Sequence, residues 1–166
     1  MGADRVPLEA SRLNPKAGVE GHVAASPSAH AEATILVRRR PDAGAGDRVE
    51  RILRGEAAAM PREAAEESLG ADPEDLRRVA DFAASEGLSV IETSAARRSV
   101  RVAGTVAQME SSFQVHLLSA AAGNGKEYLY YEGTLSIPSA LAGVIVGVLG
   151  LDQRPVANRA GPYQSV

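Results

Sequence analysis

Residues 72–87 read as one helix with both ends written into the sequence, set between two β-rich runs. Asp72 is a good N-cap, Pro73 suits the first helical position, and Glu74 and Asp75 place negative charge at the positive end of the helix dipole. Leu76, Val79, Ala80 and Ala83 recur at the spacing of one face, and Gly87 supplies the stop at C′. A helix with a single apolar stripe must bury it against a second layer. The β-branched run Ala33-Thr-Ile-Leu-Val-Arg38 before it and the run Leu88 to Thr93 after it predict strands that supply that layer.

A second unit of the same kind follows. Ala95-Ala96 turns the chain into a strand over 97–103, with Val100 and Val102 on one face and Ser99 and Arg101 on the other. Thr105-Val-Ala-Gln108 has the form of a capping box, opening a short helix lined by Val106, Met109 and Phe113. Gln114 to Ser119 reads as the next strand, and Gly123-Asn-Gly125 as a turn into the β-rich segment 127–132. Leu141, Val144, Ile145 and Val148, spaced i, i+3, i+4, i+7, predict a closing helix over 138–149 with Gly150 as its stop. Two short helices are expected around Val49, Ile52 and Leu53 and over 62–69. The order is a split βαβ pattern. It predicts an α+β, ferredoxin-like fold: an antiparallel sheet with helices on one face, an extra hairpin strand and a C-terminal helix. The other sheet face is left to water or a partner.

The flanks differ in character. Residues 1–32 carry Pro7, Pro15 and Pro27 with no sustained periodicity and are expected to form an extended N-terminal arm. Residues 33–151 form the expected core, and 152–166 a polar C-terminal linker. The 166-residue chain has 45% apolar residues and a net charge of −3, enough for one domain with a core and too neutral for a disordered chain. Eighteen basic residues against twenty-one acidic ones argue against a nucleic-acid partner, and the run Arg38-Arg39-Arg40 reads as a solvated strand end. Leu141 to Leu151, the longest apolar stretch, is too short and too glycine-punctuated for a bilayer span. The first residues lack the pattern of a secretory signal.

Chemistry is sparse. There is no cysteine, hence no thiolate metal site or cysteine nucleophile. The histidines, His22, His30 and His116, form no ligand spacing, and no Gly-x-Ser-x-Gly elbow or phosphate-binding loop is present. No catalytic residue, cofactor site or metal site is assigned, and the chain does not read as an enzyme. Three of the four tyrosines are Tyr128, Tyr130 and Tyr131, with Tyr128 and Tyr130 on one face of their strand and Tyr131 on the other. Two readings stay open: tyrosines packing within the domain, and tyrosines forming a contact surface.

The chain resembles the pro-kumamolisin activation domain, the N-terminal propeptide of sedolisin-family serine-carboxyl peptidases. The likeness lies in Arg5-Val-Pro-Leu8, the strand 33–40, the helix lead-in Gly70-Ala-Asp-Pro-Glu-Asp-Leu76, the stretch 95–109 with Phe113, and Ile137 to Asp152 followed by Arg154-Pro155. Leu69 stands where a histidine is common in that family, and position 109 is methionine. The resemblance implies a secreted proenzyme part that helps its protease fold, inhibits it, and is released by autocleavage in acid. Its partner would be a sedolisin-type catalytic domain, with calcium belonging only to that domain. The sequence carries no Ser-Gly-Thr-Ser-type nucleophile motif, so an excised piece of a proenzyme, a truncated gene and a free-standing inhibitor all fit. On this reading Tyr128, Tyr130, Tyr131, Arg97, Arg101 and Glu132 are candidates for the protease interface. Arg154, Arg159 and Tyr163 mark the linker and cleavage region. A free-standing ferredoxin-like regulatory or small-ligand domain is the competing reading.

Overall fold

The cap signals around residue 72 translate directly into backbone. In the computed structural model, which describes residues 4–13, 22–40, 50–56, 69–121 and 127–154, helix α1 spans Pro73–Ser85. The Asp72 side chain accepts a hydrogen bond from the Glu74 amide at 2.8 Å, and Gly87 follows the cap with φ +80°. Leu76, Val79, Phe82 and Ala83 are the buried stripe. Helix α2, Val106–Phe113, begins with both arms of the Thr105–Gln108 capping box in place, and Val106, Met109 and Phe113 are fully buried.

The strands are β1 (Arg5–Pro7), β2 (Val23–Ala24), β3 (His30–Val37), β4 (Ser89–Ser94), β5 (Ser99–Thr105), β6 (Leu117–Ala121), β7 (Glu127–Tyr131), β8 (Ser136–Pro138) and β9 (Ile145–Leu149). The main sheet is antiparallel, in the order β4-β5-β3-β9. Strand β3 is central, and its residues alternate between buried and more exposed: Ala31, Ala33, Ile35 and Val37 point into the core. Val100 and Val148 stand opposite Ile35 and share its face, where the apolar stripes of α1 and α2 cover them. The result is the expected α+β, ferredoxin-like arrangement. Two smaller sheets flank it, β2-β6-β7 and β1-β8.

Four expectations need correction. The closing helix over 138–149 is instead β8, a 3-10 turn at Ser139–Leu141 and strand β9, which is the fourth strand of the main sheet. Its helix-like spacing has a specific origin. Ile145 pairs with Val37 and Gly147 with Leu36, so Val146 is skipped at a register shift; Ile145 and Val148 therefore face the core together although three residues apart. Gly143, at φ +75°, also stops any helix from running through. The strand expected at Gln114 to Ser119 begins later, at Leu117, because Gln114 takes the left-handed C-cap conformation of α2 (φ 51°). That strand joins the small sheet and not the main one.

The third correction is the arm 1–32, which is built into the domain wherever it is described. Strand β1 pairs with β8, β2 with β6, and the central strand already begins at His30. Leu8 is buried, and Arg5 ties the segment down. One guanidinium nitrogen donates to the Ser112 carbonyl (2.8 Å) and the other to Glu86 Oε1 (3.0 Å), so a cation sits at the C-terminal ends of both helices. Of the short helices expected between 49 and 69, residues 50–53 are helical; Val49 and residues 62–68 lie outside the described residues, as does the turn 123–125.

The basic run is not a merely solvated edge. Arg38 Nε donates to Asp75 Oδ2 at 2.6 Å, and Arg78 reaches the other oxygen of the same carboxylate at 3.5 Å. Asp75 is buried, so it depends on those two cations. Replacing it with alanine (Asp75→Ala) is expected to lower stability by about 3 kcal/mol, the low end for a broken buried pair because both arginines keep contact with water. Urea unfolding checks this: the midpoint should fall with an unchanged slope, and an unaltered midpoint contradicts the assignment.

Candidate functional site

The face of the main sheet opposite the helices is where the structure leaves material unused. Leu149, Thr34, Arg101 and Glu92 form one cross-strand row from β9 to β4, and Gly147, Leu36, Ser99 and Ser94 form the next. Residues directly opposite in a ladder share a face, so these rows lie away from Ile35 and Val100. None of the eight is buried, and Leu149 is 56% exposed. Ile91 and Val146, at the register shifts of β4 and β9, add two more exposed apolar side chains. Of the eight, Leu149 and Arg101 are exposed and the other six are partly exposed. The face combines an apolar side, at Leu36 and Leu149, with a charged side.

The charged side is already paired. Arg101 approaches Glu32 at 3.4 Å and Glu92 at 3.8 Å, and Arg97 reaches Glu92 at 2.9 Å. His30 lies 3.4 Å from Glu32 and extends the series to the sheet margin. Each pair is exposed and contributes little to stability by itself. The arrangement matters more for its balance: Arg97 and Arg101 meet carboxylates of their own chain.

The tyrosines are placed differently from the arginines. Tyr131 belongs to the main core, and its buried hydroxyl donates to the Ser11 carbonyl at 2.8 Å. Burial pushes its phenol pKa up. Tyr130, on the opposite face of β7, is also fully buried but outside that core cluster. Its ring centroid is 6.0 Å from that of Tyr128, and the Arg154 guanidinium carbon lies 5.5 Å from the ring centre. Only Tyr128 keeps exposed surface, so Tyr130 and Tyr131 are corrected from interface candidates to packed residues. Of the two readings left open for these tyrosines, packing within the domain holds for Tyr130 and Tyr131, on opposite faces of β7. Glu132 is exposed and lies apart from the open sheet face, at the end of β7. Arg154 is half-buried and bonded to Asp152; Arg159 and Tyr163 lie outside the described residues.

A cavity of about 250 Å³ opens beside the small sheet, lined by His30, Glu127, Tyr128 and Gln153 among others. It falls below the 300 Å³ at which small-molecule pockets ordinarily begin. His116 projects into solvent near Glu110, at 3.8 Å. Among the described residues no group of His, Asp and Glu is arranged to hold a metal ion, and no helix is long and apolar enough to cross a membrane.

A model of the family described as "Pro-kumamolisin, activation domain" matches residues 18–154. The chain belongs to the pro-kumamolisin activation-domain family. It is also similar to Kumamolisin of Bacillus sp. (strain MN-32), with 31% identity over 132 residues. The match covers 75% of this chain but 23% of that relative, so the chain corresponds to a minor part of the longer protein. Two features went unread in the sequence: Glu32 and Glu92 as partners of Arg101, and Arg5 as an anchor. The alternation of β3 placed Glu32 on the open face, but only the ladder brings it opposite β5.

The contrast between the tyrosines is testable. Tyr131→Phe removes a satisfied buried hydroxyl and leaves the Ser11 carbonyl without its donor. It is expected to cost about 1 kcal/mol in urea unfolding; no loss contradicts the bond.

Proposed function

We propose that this chain is the propeptide of a sedolisin-type serine-carboxyl peptidase, acting as inhibitor and folding aid of that catalytic domain until it is released in acid. Family membership supports the class, and the partly exposed face of the main sheet is the observation that supports the mode of action. A stable protein–protein contact buries about 1,600 Å² in total, and a four-stranded sheet face with an apolar margin is a surface suited to that scale. Leu36 and Leu149 would form its desolvated centre, with Ile91 and Val146 at the flanks. Arg97 and Arg101 would contribute at the charged margin, and Tyr128 and Glu132 lie beyond it.

Acid release follows from the pairing on the same face. With Glu32 and Glu92 ionised, Arg101 and Arg97 are balanced and can be covered at modest cost. Protonating both carboxylates leaves two uncompensated guanidinium groups, and holding these under a partner is unfavourable. The complex therefore loosens as pH falls. The chain beyond Arg154 would tether the two domains and carry the maturation cut; Arg154 itself is held too closely to present an extended scissile backbone. The proenzyme reading places the protein outside the cell.

The experiment is addition of the folded chain in trans to a mature kumamolisin-type catalytic domain. Inhibition at neutral pH, with an inhibition constant that rises as pH falls towards 3, is the expected result. Leu149→Glu should weaken inhibition at least tenfold, a loss of about 1.4 kcal/mol, while leaving thermal stability unchanged. Absence of inhibition by the folded chain, or equal inhibition by Leu149→Glu, would contradict the reading. The small-ligand alternative predicts instead that a metabolite raises stability, for which the shallow cavity gives little support.

A further inference from the structure

The turn between β4 and β5, residues 95–98, holds an arginine in a conformation that suits glycine. Arg98 has φ 53° and lies in the left-handed region, a position that hairpin turns ordinarily give to glycine or asparagine. Gln114, the other such non-glycine residue among those described, is explained by its place as the C-cap of α2. The backbone of Arg98 is fully used: its amide donates to the Ala95 carbonyl at 3.1 Å, and its carbonyl accepts from the Val37 amide at 2.8 Å. Neither bond involves the side chain, so a glycine would close the same turn without the steric cost. An arginine kept at such a position points to a task for its guanidinium group.

The surroundings are rich in arginine and short of carboxylate. Backbone hydrogen bonds join three chain segments at this end of the main sheet: Val37 to Arg98, Arg40 to Gly70 at 2.9 Å, and Ala71 to Ala95 at 2.9 Å. They bring Arg38-Arg39-Arg40 to the turn that carries Arg97 and Arg98. The carboxylates in reach are committed. Asp75 is held by Arg38 and Arg78, and Glu92 by Arg97 and Arg101. Asp72 accepts from the Glu74 amide and lies 4.0 Å from Arg40. Among the described residues no acceptor meets the side chain of Arg98 or Arg39. Arg39 is exposed; Arg98 is partly buried, so its charge is less well hydrated and gains more from a partner. The row of Leu36, Ser99 and Ser94 on the open sheet face ends at this turn, which makes the corner continuous with that face.

We infer that Arg98 and Arg39 form a carboxylate-docking corner at the end of the main sheet, which takes acidic side chains of the partner catalytic domain. The inference rests on the propeptide reading and adds the chemistry of one margin of that contact. Discrete carboxylates fit the corner better than a nucleic-acid backbone does. The chain carries a net charge of −3, which repels a polyanion, and the neighbouring Arg38 and Arg97 are already neutralised within the fold. Arg98 supplies a guanidinium fixed by its turn, and Arg39 a mobile one on the exposed strand end. Charges at the margin of a contact act on its salt dependence as well as on its affinity.

Arg98→Gly separates a docking role from a structural one, because it relieves the backbone while removing the charge. The full chain and its variants are titrated at neutral pH against a mature kumamolisin-type catalytic domain, and each is unfolded in urea alone. Arg98→Gly should raise the inhibition constant about fivefold or more, with a urea midpoint at or above that of the wild type. Arg39→Gln, a change at an exposed side chain, should also weaken inhibition and leave the midpoint unchanged. Between about 0.05 M and about 0.5 M salt the wild-type constant should rise, and that of the double variant should rise less. An Arg98→Gly variant that inhibits as the wild type does would overturn the inference. So would one with a lowered midpoint, since the arginine would then be holding its own turn. Should Arg98→Gly not fold, Arg39→Gln decides, and wild-type inhibition by it overturns the corner. Binding of the wild-type chain to duplex DNA that Arg98→Gly abolishes, with inhibition intact, would also overturn it in favour of a phosphate partner. A wild-type chain that fails to inhibit contradicts the propeptide reading itself, and the corner falls with it; inhibition by wild type and variants alike contradicts the corner alone.

Discussion

Everything in this domain is arranged around the two-residue alternation of β3. The strand is paired on both sides, by β5 and β9, so its backbone is committed and its side chains can only point to one face or the other. Ala31, Ala33, Ile35 and Val37 turn inwards and fix the core; Glu32, Thr34 and Leu36 therefore turn outwards as a consequence. A one-residue slip would exchange these sets, and the sequence prevents it by making one set apolar and small or branched. The outward face is thus a product of the same constraint that builds the inner one.

From that constraint follow the features that bear on function. Cross-strand pairing sets Arg101 opposite Thr34 and Glu92, close to Glu32, and so creates a charge-balanced margin beside exposed Leu149. The small sheets do a different task. They extend the core past the end of the main sheet, with Tyr131 closing it over Ser11 and Arg5 clamping the chain start to both helix ends. Membership of the pro-kumamolisin activation-domain family is consistent with a domain that concentrates its unused surface on one face.

What the sequence disclosed, it disclosed through local chemistry. Asp72, Pro73 and Gly87 bound α1, and Thr105 with Gln108 starts α2, because caps act over three or four residues. The split βαβ order followed from those fixed points. What stayed hidden depends on long-range geometry. The bulge at Val146 gives β9 a helical spacing of buried residues, so periodicity alone pointed to the wrong element. Arg5 finds Ser112 and Glu86 across the fold, and nothing near Arg5 announces either partner. Tyr130 and Tyr131 alternate as expected, yet both are buried, since Arg154 returns over the face that a hairpin would otherwise expose. In the site, alternation gave the outward set, but the pairing of Arg101 with two glutamates needed the register.

The most direct measurement of the central claim is oxidative footprinting of the folded chain with and without a kumamolisin-type catalytic domain. Leu36, Leu149 and Ile91 should lose reactivity in the complex, while Leu53, exposed in the helical turn at 50–53, stays as reactive as before. Unchanged reactivity at Leu36 and Leu149 in a complex shown to have formed would mean that the open sheet face is not the docking surface.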